Sequence, residues 1–303
     1  MLSIQEMHRF LQEQNADYEI LKQEKPIRSA KDAEGIYDAE KSAPTFVLDS
    51  DRGLIACVMS VTSGRMDLAA MKAEFGFTKL KMADSKKILR ETGYAVGSVP
   101  PIGHGLPCIF DQNLLQFDYV YAGTGDELQT LKIWPRDIIR LNRCIGRMQC
   151  TADGLLVFRC AAADEAEQVM PLIASTFSGE QGIPNHMLAI PEEQRPRWWC
   201  AFLNGHVVGT VAGYYDGDDF HMGRFAVDPS LRGHHIGKQL VEFAFTNVFE
   251  SDIERVDMEC LDVTVKILLT MGAEISGESF EFFGANATPM VMHRSNYRIT
   301  KDF

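Results

Sequence analysis

The segment Arg232-Gly233-His234-His235-Ile236-Gly237-Lys238 follows an apolar run ending at Val227 and precedes another reaching Phe249. A strand that turns through glycines into a helix start aims several backbone N–H groups at one place, and the helix dipole adds to them. Such a place suits an anion, for which a pyrophosphate is a fitting guest. Arg232 and Lys238 add fixed positive charge. The same residues also fit a tight strand-to-helix turn that holds no ligand.

A second stretch, GYAVGSVPPIGHGLPCIF over residues 93–110, is dense in glycine and proline between apolar runs. Its backbone must adopt conformations that ordinary side chains obstruct, as in a structural loop or a pocket wall. His104 lies in this loop and has the side chain whose charge changes nearest neutral pH. Asp219, His221 and His206 are polar residues near strand ends, where solvated or turn-forming roles are commoner than catalytic ones. His234 and His235 point apart on a turn and no carboxylate or cysteine completes a ligand set, so no metal is expected.

These segments need elements to hold them. Ile4, Met7, Phe10 and Leu11 have the spacing of one helix face over 4–14. Apolar runs Thr45–Leu48 and Leu54–Val61 around a polar turn predict a hairpin. Helices are expected over Asp67–Phe75 and from Asp84 to near Gly93, then strands at Tyr119–Ala122 and Leu131–Trp134 and a helix over Pro135–Cys144 with proline in its first turn. Arg147–Gly154 loses periodicity and reads as a linker. Beyond it come a strand (Leu155–Cys160), a helix (Asp164–Phe177), two strands (Trp198–Leu203 and Val207–Tyr215) joined by Asn204-Gly205, and a strand over Phe220–Val227.

The 303 residues are enough for two ordinary domains, and 46% hydrophobic with 24% charged residues is a globular composition. Residues 1–150 hold 19 Lys and Arg against 20 Asp and Glu, whereas 151–303 hold 11 against 22. A polyanion such as tRNA is therefore repelled by the second half and can be met only by a local face of the first. Seven scattered cysteines without a C-x-x-C pair, no secretory signal and no apolar span predict a reduced, cytoplasmic protein without a membrane contact.

Two resemblances follow from these residues. TGYAVGSVPPIGHGLPCIFDQNLLQFDYVYAGTG followed by TLKIWPRDIIRLN resembles the YbaK and prolyl-tRNA-editing family over about residues 3–146. FAVDPSLRGHHIGKQLVEFAF resembles the acetyl-CoA signature of GNAT N-acyltransferases, over about residues 155–298. The first resemblance implies a domain over 1–148 that hydrolyses mischarged aminoacyl-tRNA without a metal, with the tRNA 3′ end as partner. It implies that Gly97 and Ser98 present N–H donors to an oxyanion, that Gly103 and His104 form the pocket turn, and that Thr45 contacts substrate. Where many relatives have a lysine, Pro44 stands here, and Lys41 is the nearest substitute.

The second resemblance implies a domain over 152–303 with acetyl-CoA or another acyl-CoA as cosubstrate and a small amine or amino acid as acceptor. Phe225, Ala226 and Val227 are then expected to contact the pantetheine arm, and Arg232, Gly233, His234, His235, Ile236, Gly237 and Lys238 the pyrophosphate. Two departures stand out: His235 replaces a glycine of the pattern, and Leu268 occupies the position of the usual tyrosine acid. His221 is a candidate base. The expected fold class is α/β (α+β), with two mixed sheets each flanked by helices. The expected function is a trans-editing deacylase joined to an N-acyltransferase. The alternative is a regulatory protein that binds both ligands without turnover, and the oligomeric state stays open.

Overall fold

Ser3 opens the first helix with a reciprocal cap. Its hydroxyl accepts the Glu6 N–H, and the Glu6 carboxylate accepts the Ser3 N–H. Helix α1 (Ile4–Glu13) then buries Met7 and Leu11, the face that the spacing predicts. The computed structural model describes residues 1–27, 30–33 and 35–298. In it the chain divides into two units, Met1–Val157 and the residues from Phe158 onward.

After α1 the first unit runs β1 (Tyr18–Lys22), β2 (Thr45–Ser50), β3 (Gly53–Val58), α2 (Leu68–Glu74), β4 (Leu80–Met82), α3 (Ser85–Thr92), β5 (Cys108–Asp111), β6 (Val120–Gly123), β7 (Gln129–Ile133), α4 (Pro135–Arg140) and β8 (Cys144–Thr151). Strands β1, β7 and β6 form an antiparallel sheet in that order. The other five lie in the order β4-β2-β3-β5-β8, antiparallel through β2 and parallel from β3 to β8. Leu48, Ile55, Cys57, Phe75 and Ile109 are buried together at its core. Asp67 and Asp84 cap α2 and α3, and Gly93 ends α3 in the left-handed conformation that favours glycine.

Two expectations in this unit need correction. The helix after Pro135 stops at Arg140, with Leu141 as its cap. Arg147–Gly154 is not a linker: it comprises most of β8 and the turn into β9 (Gly154–Cys160). Strand β8 pairs in parallel with β5, and Arg147 is fully buried opposite Phe110. A glycine and a buried arginine at interior positions hide the alternation that would mark a strand. The chain enters the second unit within β9.

The second unit continues through α5 (Ala166–Ile173), β10 (Arg197–Leu203), β11 (His206–Asp216), β12 (Asp219–Val227), α6 (Ile236–Phe249), β13 (Arg255–Leu261), α7 (Asp262–Thr270), β14 (Glu274–Ile275), β15 (Phe280–Phe282) and β16 (Ala285–His293). Asn204 and Gly205 both take positive φ, the requirement of the two-residue hairpin turn that joins β10 to β11. Strands β10 to β12 are antiparallel, β12 and β13 are parallel, and β13 is antiparallel to β16. Both units are thus mixed sheets with helices, as expected. No helix among the described residues is long and apolar enough to cross a membrane.

Candidate functional site

The first unit has a cleft of about 320 Å³ whose lining includes Gln23, Tyr37, Ser42, Pro44, Gly97 and Tyr121. Ala43 donates its N–H to the Tyr121 carbonyl at 2.7 Å, which sets the approach to β2 against β6. The rings of Tyr37 and Tyr121 stack with centroids 4.3 Å apart and planes at 14°. Burial pushes the Tyr37 phenol above its ordinary pKa. The phenol lies near the Ser42 hydroxyl, yet Ser42 Oγ, on a residue only 8% exposed, makes no well-aligned hydrogen bond among the described residues. Desolvating a hydroxyl without a partner is costly, so a guest that bonded it would recover free energy.

Ala95 to Ser98 make a tight turn in the cleft wall. Gly97 takes φ +85, with open space where a Cβ would stand. Its N–H has no acceptor among the described residues. Ser98 differs from expectation. Its N–H donates to the Ala95 carbonyl at 3.1 Å, and its hydroxyl donates to the same oxygen at 3.0 Å. One of the two expected backbone donors is therefore spent on the turn that positions the other.

Four more expected residues stand apart from the lining. His104 is 4% exposed, and its Nδ1 accepts the Leu106 N–H at 3.0 Å. Burial drives its pKa down to about 4, so it is a neutral loop staple whose basic nitrogen is occupied. Gly103 faces the chain start, where an added Cβ would meet Leu2 Cδ1 at 2.5 Å. Thr45 begins β2 beside Pro44, with Oγ1 buried and unpartnered among the described residues. Lys41 ends a short turn of helix directly before Ser42, outside the lining. The lining itself carries Asp126 and Glu127 and, among the described residues, no Lys, Arg or His. The Leu128 N–H and then the Gln129 amide hold the Asp126 carboxyl below its ordinary pKa.

In the second unit β12 ends at Val227 and the glycine-bearing turn leads into α6, the strand-turn-helix path that the sequence predicts. Helix α6 begins at Ile236 with no side-chain cap and no acidic residue in its first turn, leaving its leading N–H groups for a ligand. Gly233 has φ +84, and His235 is forced to φ +60, a left-handed conformation that costs a non-glycine residue about 1–2 kcal/mol. Gly237 is required by packing, since an added Cβ would meet the Phe225 ring at 2.8 Å. His234 is exposed. Arg232 is not a free cation: its two Nη atoms bind the Glu180 carboxylate at 2.7 Å each, and Nε donates to the Val227 carbonyl at 3.0 Å. Lys238, at the second basic position, also has an interaction within the chain.

Strand β12 pairs with β13 only at His221 and Met222, and beyond them the two strands part. A bulge sits in the same place: β12 shifts register against β11 after Gly223, and Arg224 takes φ +54. The splay leaves the β13-facing edge of Arg224 to Val227 without strand partners, while Ala226 and Val227 stay paired to Thr210 and Gly209. Beside it lies a cavity of about 90 Å³ whose lining includes Phe177, Arg224, Phe225, Glu259, Cys260 and Leu268. Leu268 is 1% exposed and has no proton to give. Burial pushes the Cys260 thiol up to about 12. His221 lies outside the lining and stacks on Tyr214 at 5.8 Å. Burial raises the Tyr214 phenol, keeping it protonated.

Sequence reasoning missed Tyr37, Ser42, Tyr121, Arg224 and Glu259. Tyr121 stood inside a recognised strand, whereas nothing in the local sequence marks Arg224 as a bulge residue. Among the described residues no group of three or more His, Cys, Asp or Glu is placed to hold a metal.

The geometry is thus a backbone-donor cleft in one unit and a splayed sheet beside an uncapped helix start in the other. Residues 24–141 match the aminoacyl-tRNA editing domain family, and residues 166–265 match the acetyltransferase (GNAT) family. The chain carries one domain of each family.

Among solved structures, a candidate trans-editing enzyme for prolyl tRNA synthetase is 23% identical, covering 48% of this chain and 95% of its own, with a TM-score of 0.42. Escherichia coli ElaA is 17% identical, covering 45% and 98%, at 0.40. An acyl-CoA N-acyltransferase from Pseudomonas aeruginosa is 15% identical over 45% and 98%, also at 0.40.

Proposed function

We propose that this chain is a cytoplasmic two-domain enzyme. Its first unit hydrolyses the ester joining a wrong amino acid to the 3′ end of tRNA, and its second transfers an acyl group from acetyl-CoA, or another acyl-CoA, to a small amine or amino acid. The observation that carries the first activity is the Gly97 turn, which holds an unspent N–H in the same cleft as the unpartnered Ser42 hydroxyl. An aminoacyl ester is already activated, so positioning of water and stabilisation of the oxyanion can suffice.

Water adds to the ester carbonyl, the Gly97 N–H and the Ser42 hydroxyl hold the developing oxyanion, and the bond to the ribose oxygen breaks with a proton passing to that oxygen. The carboxylates of Asp126 and Glu127 match the ammonium of the amino acid. Lys41, just outside the lining, is positioned in sequence to meet a phosphate.

For the second activity, the leading N–H groups of α6 hold the pyrophosphate and the open edge of β12 holds the pantetheine amides. The cavity of about 90 Å³, roughly three water volumes, suits a short acyl group. A neutral amine attacks the thioester carbonyl, a C–N bond forms, the C–S bond breaks, the nitrogen gives up a proton to water, and the thiolate takes a proton that neither Leu268 nor Cys260 supplies. The Tyr214 phenol, kept protonated by burial and adjoining Gly223 of the lining, is the donor assigned to this step.

The test uses the full chain. Incubation with a panel of mischarged tRNAs is expected to release one or a few amino acids, and acetyl-CoA with amines or amino acids to release thiol. Stable esters across the panel would overturn the first assignment, and failure to bind acetyl-CoA the second.

A further inference from the structure

We propose that Arg224 and Glu259 form a recognition pair for an acceptor carrying both a carboxylate and an amine, so that the acyl acceptor is a free α-amino acid. This rests on the acyl-transfer reading of the second unit and names its substrate class. Arg224 is fixed rather than flexible. Its Nε donates to the Leu188 carbonyl at 3.0 Å and Nη2 to the Met187 carbonyl at 2.9 Å, while Nη1 has no partner among the described residues. A guanidinium anchored through two donors presents the remaining ones in a set direction, the arrangement that recognises a carboxylate.

Glu259 is an exposed carboxylate on β13 with no ion pair or hydrogen bond among the described residues. It lines the same cavity as Arg224, yet the two are not paired with one another. Arg224 is three residues before Val227, on the order of 10 Å along a strand, and so is removed from the helix start that receives the pyrophosphate. A cation and an anion held apart beside a short-acyl cavity match the two ends of a zwitterion. A simple amine would leave Arg224 unanswered.

Calorimetric titration of the full chain, with acetyl-CoA present, tests this with L-alanine, L-leucine and L-phenylalanine. The comparison probes are ethylamine, isopentylamine and phenethylamine, which lack the carboxylate, and propionate, 4-methylpentanoate and 3-phenylpropionate, which lack the amine. At least one amino acid is expected to bind roughly ten- to a hundredfold more tightly than its matched amine and its matched acid. Arg224→Gln should erase the preference over the amine and Glu259→Gln the preference over the acid. Arg224→Lys, which keeps the charge, should retain part of the first preference.

Equal binding of amino acid and amine, a preference unchanged in Arg224→Gln, or no binding in a chain that still holds acetyl-CoA would overturn the pair. Amino-acid binding without any acetyl-CoA binding would leave the pair standing and remove the acyl-transfer reading on which it was built. Binding of neither would remove both.

Discussion

Under the proposed function, the cleft of the first unit and the splayed cavity of the second handle the same functional group, an acyl carbon, with different materials. In the first, the lining has no cation among the described residues, and its donors are a turn N–H at Gly97 and the Ser42 hydroxyl. In the second, charged side chains are present, with Arg232 clamped to Glu180 and Arg224 anchored to two carbonyls while Glu259 shares its cavity. Water as nucleophile needs little more than an oxyanion site. An incoming amine and a departing thiolate need proton traffic and two bound partners. The difference follows the nucleophile.

The sharpest way to break this contrast lies in His104, which here has a structural role in the first unit. Its pKa, driven to about 4 by burial, lies below the value near 6.5 of an unfolded histidine. Between those values the unfolded chain binds more protons, so the folding stability contributed by neutral His104 is complete above pH 6.5 and is lost as pH falls toward 4. The shift corresponds to about 3 kcal/mol. Denaturant titrations at pH 7.5 and 4.5 should show this loss, and His104→Gln should flatten it.

Next in size is Gly97→Ala. Alanine at φ +85 is strained, and a displaced N–H should slow ester hydrolysis by roughly tenfold to a hundredfold. Acetyl-CoA affinity measured by calorimetry should not change. Loss of both would contradict two separate sites.

On the second unit, His235→Gly removes a left-handed histidine and should raise stability by about 1 kcal/mol and tighten acetyl-CoA binding, read from melting temperature and titration. The smallest effect is expected for Glu180→Gln. An exposed ion pair contributes about 0–1 kcal/mol, so stability should barely move, while Arg232, freed from its carboxylate, should bind acetyl-CoA a few-fold more tightly at low salt.

The two regions also differ in how far the sequence exposed them. The apolar face of the opening helix, the Asn204-Gly205 hairpin and the glycine-bearing start of α6 are local devices, and each was readable from residue types at fixed offsets. Gly97 was readable for the same reason. What stayed hidden depends on pairing between distant segments. Tyr37 becomes a cleft residue only by stacking on Tyr121, and Ser42 only through the contact of its neighbour Ala43 with Tyr121. Arg224 was hidden by a register shift against β11, and β8 by a buried arginine at an interior position. Ser98 was misjudged in its detail: the turn that offers the Gly97 N–H consumes the Ser98 N–H.

The measurement closest to the central claim is the pH–rate profile of the full chain on a mischarged aminoacyl-tRNA that it hydrolyses, followed from pH 5.5 to 8.5 with and without a metal chelator. A cleft that works through Gly97 and Ser42 predicts a rate that rises smoothly with pH, is unaffected by chelation and shows no inflection near 6.5. An inflection in that range that disappears in His104→Gln, or loss of activity on chelation, would contradict it.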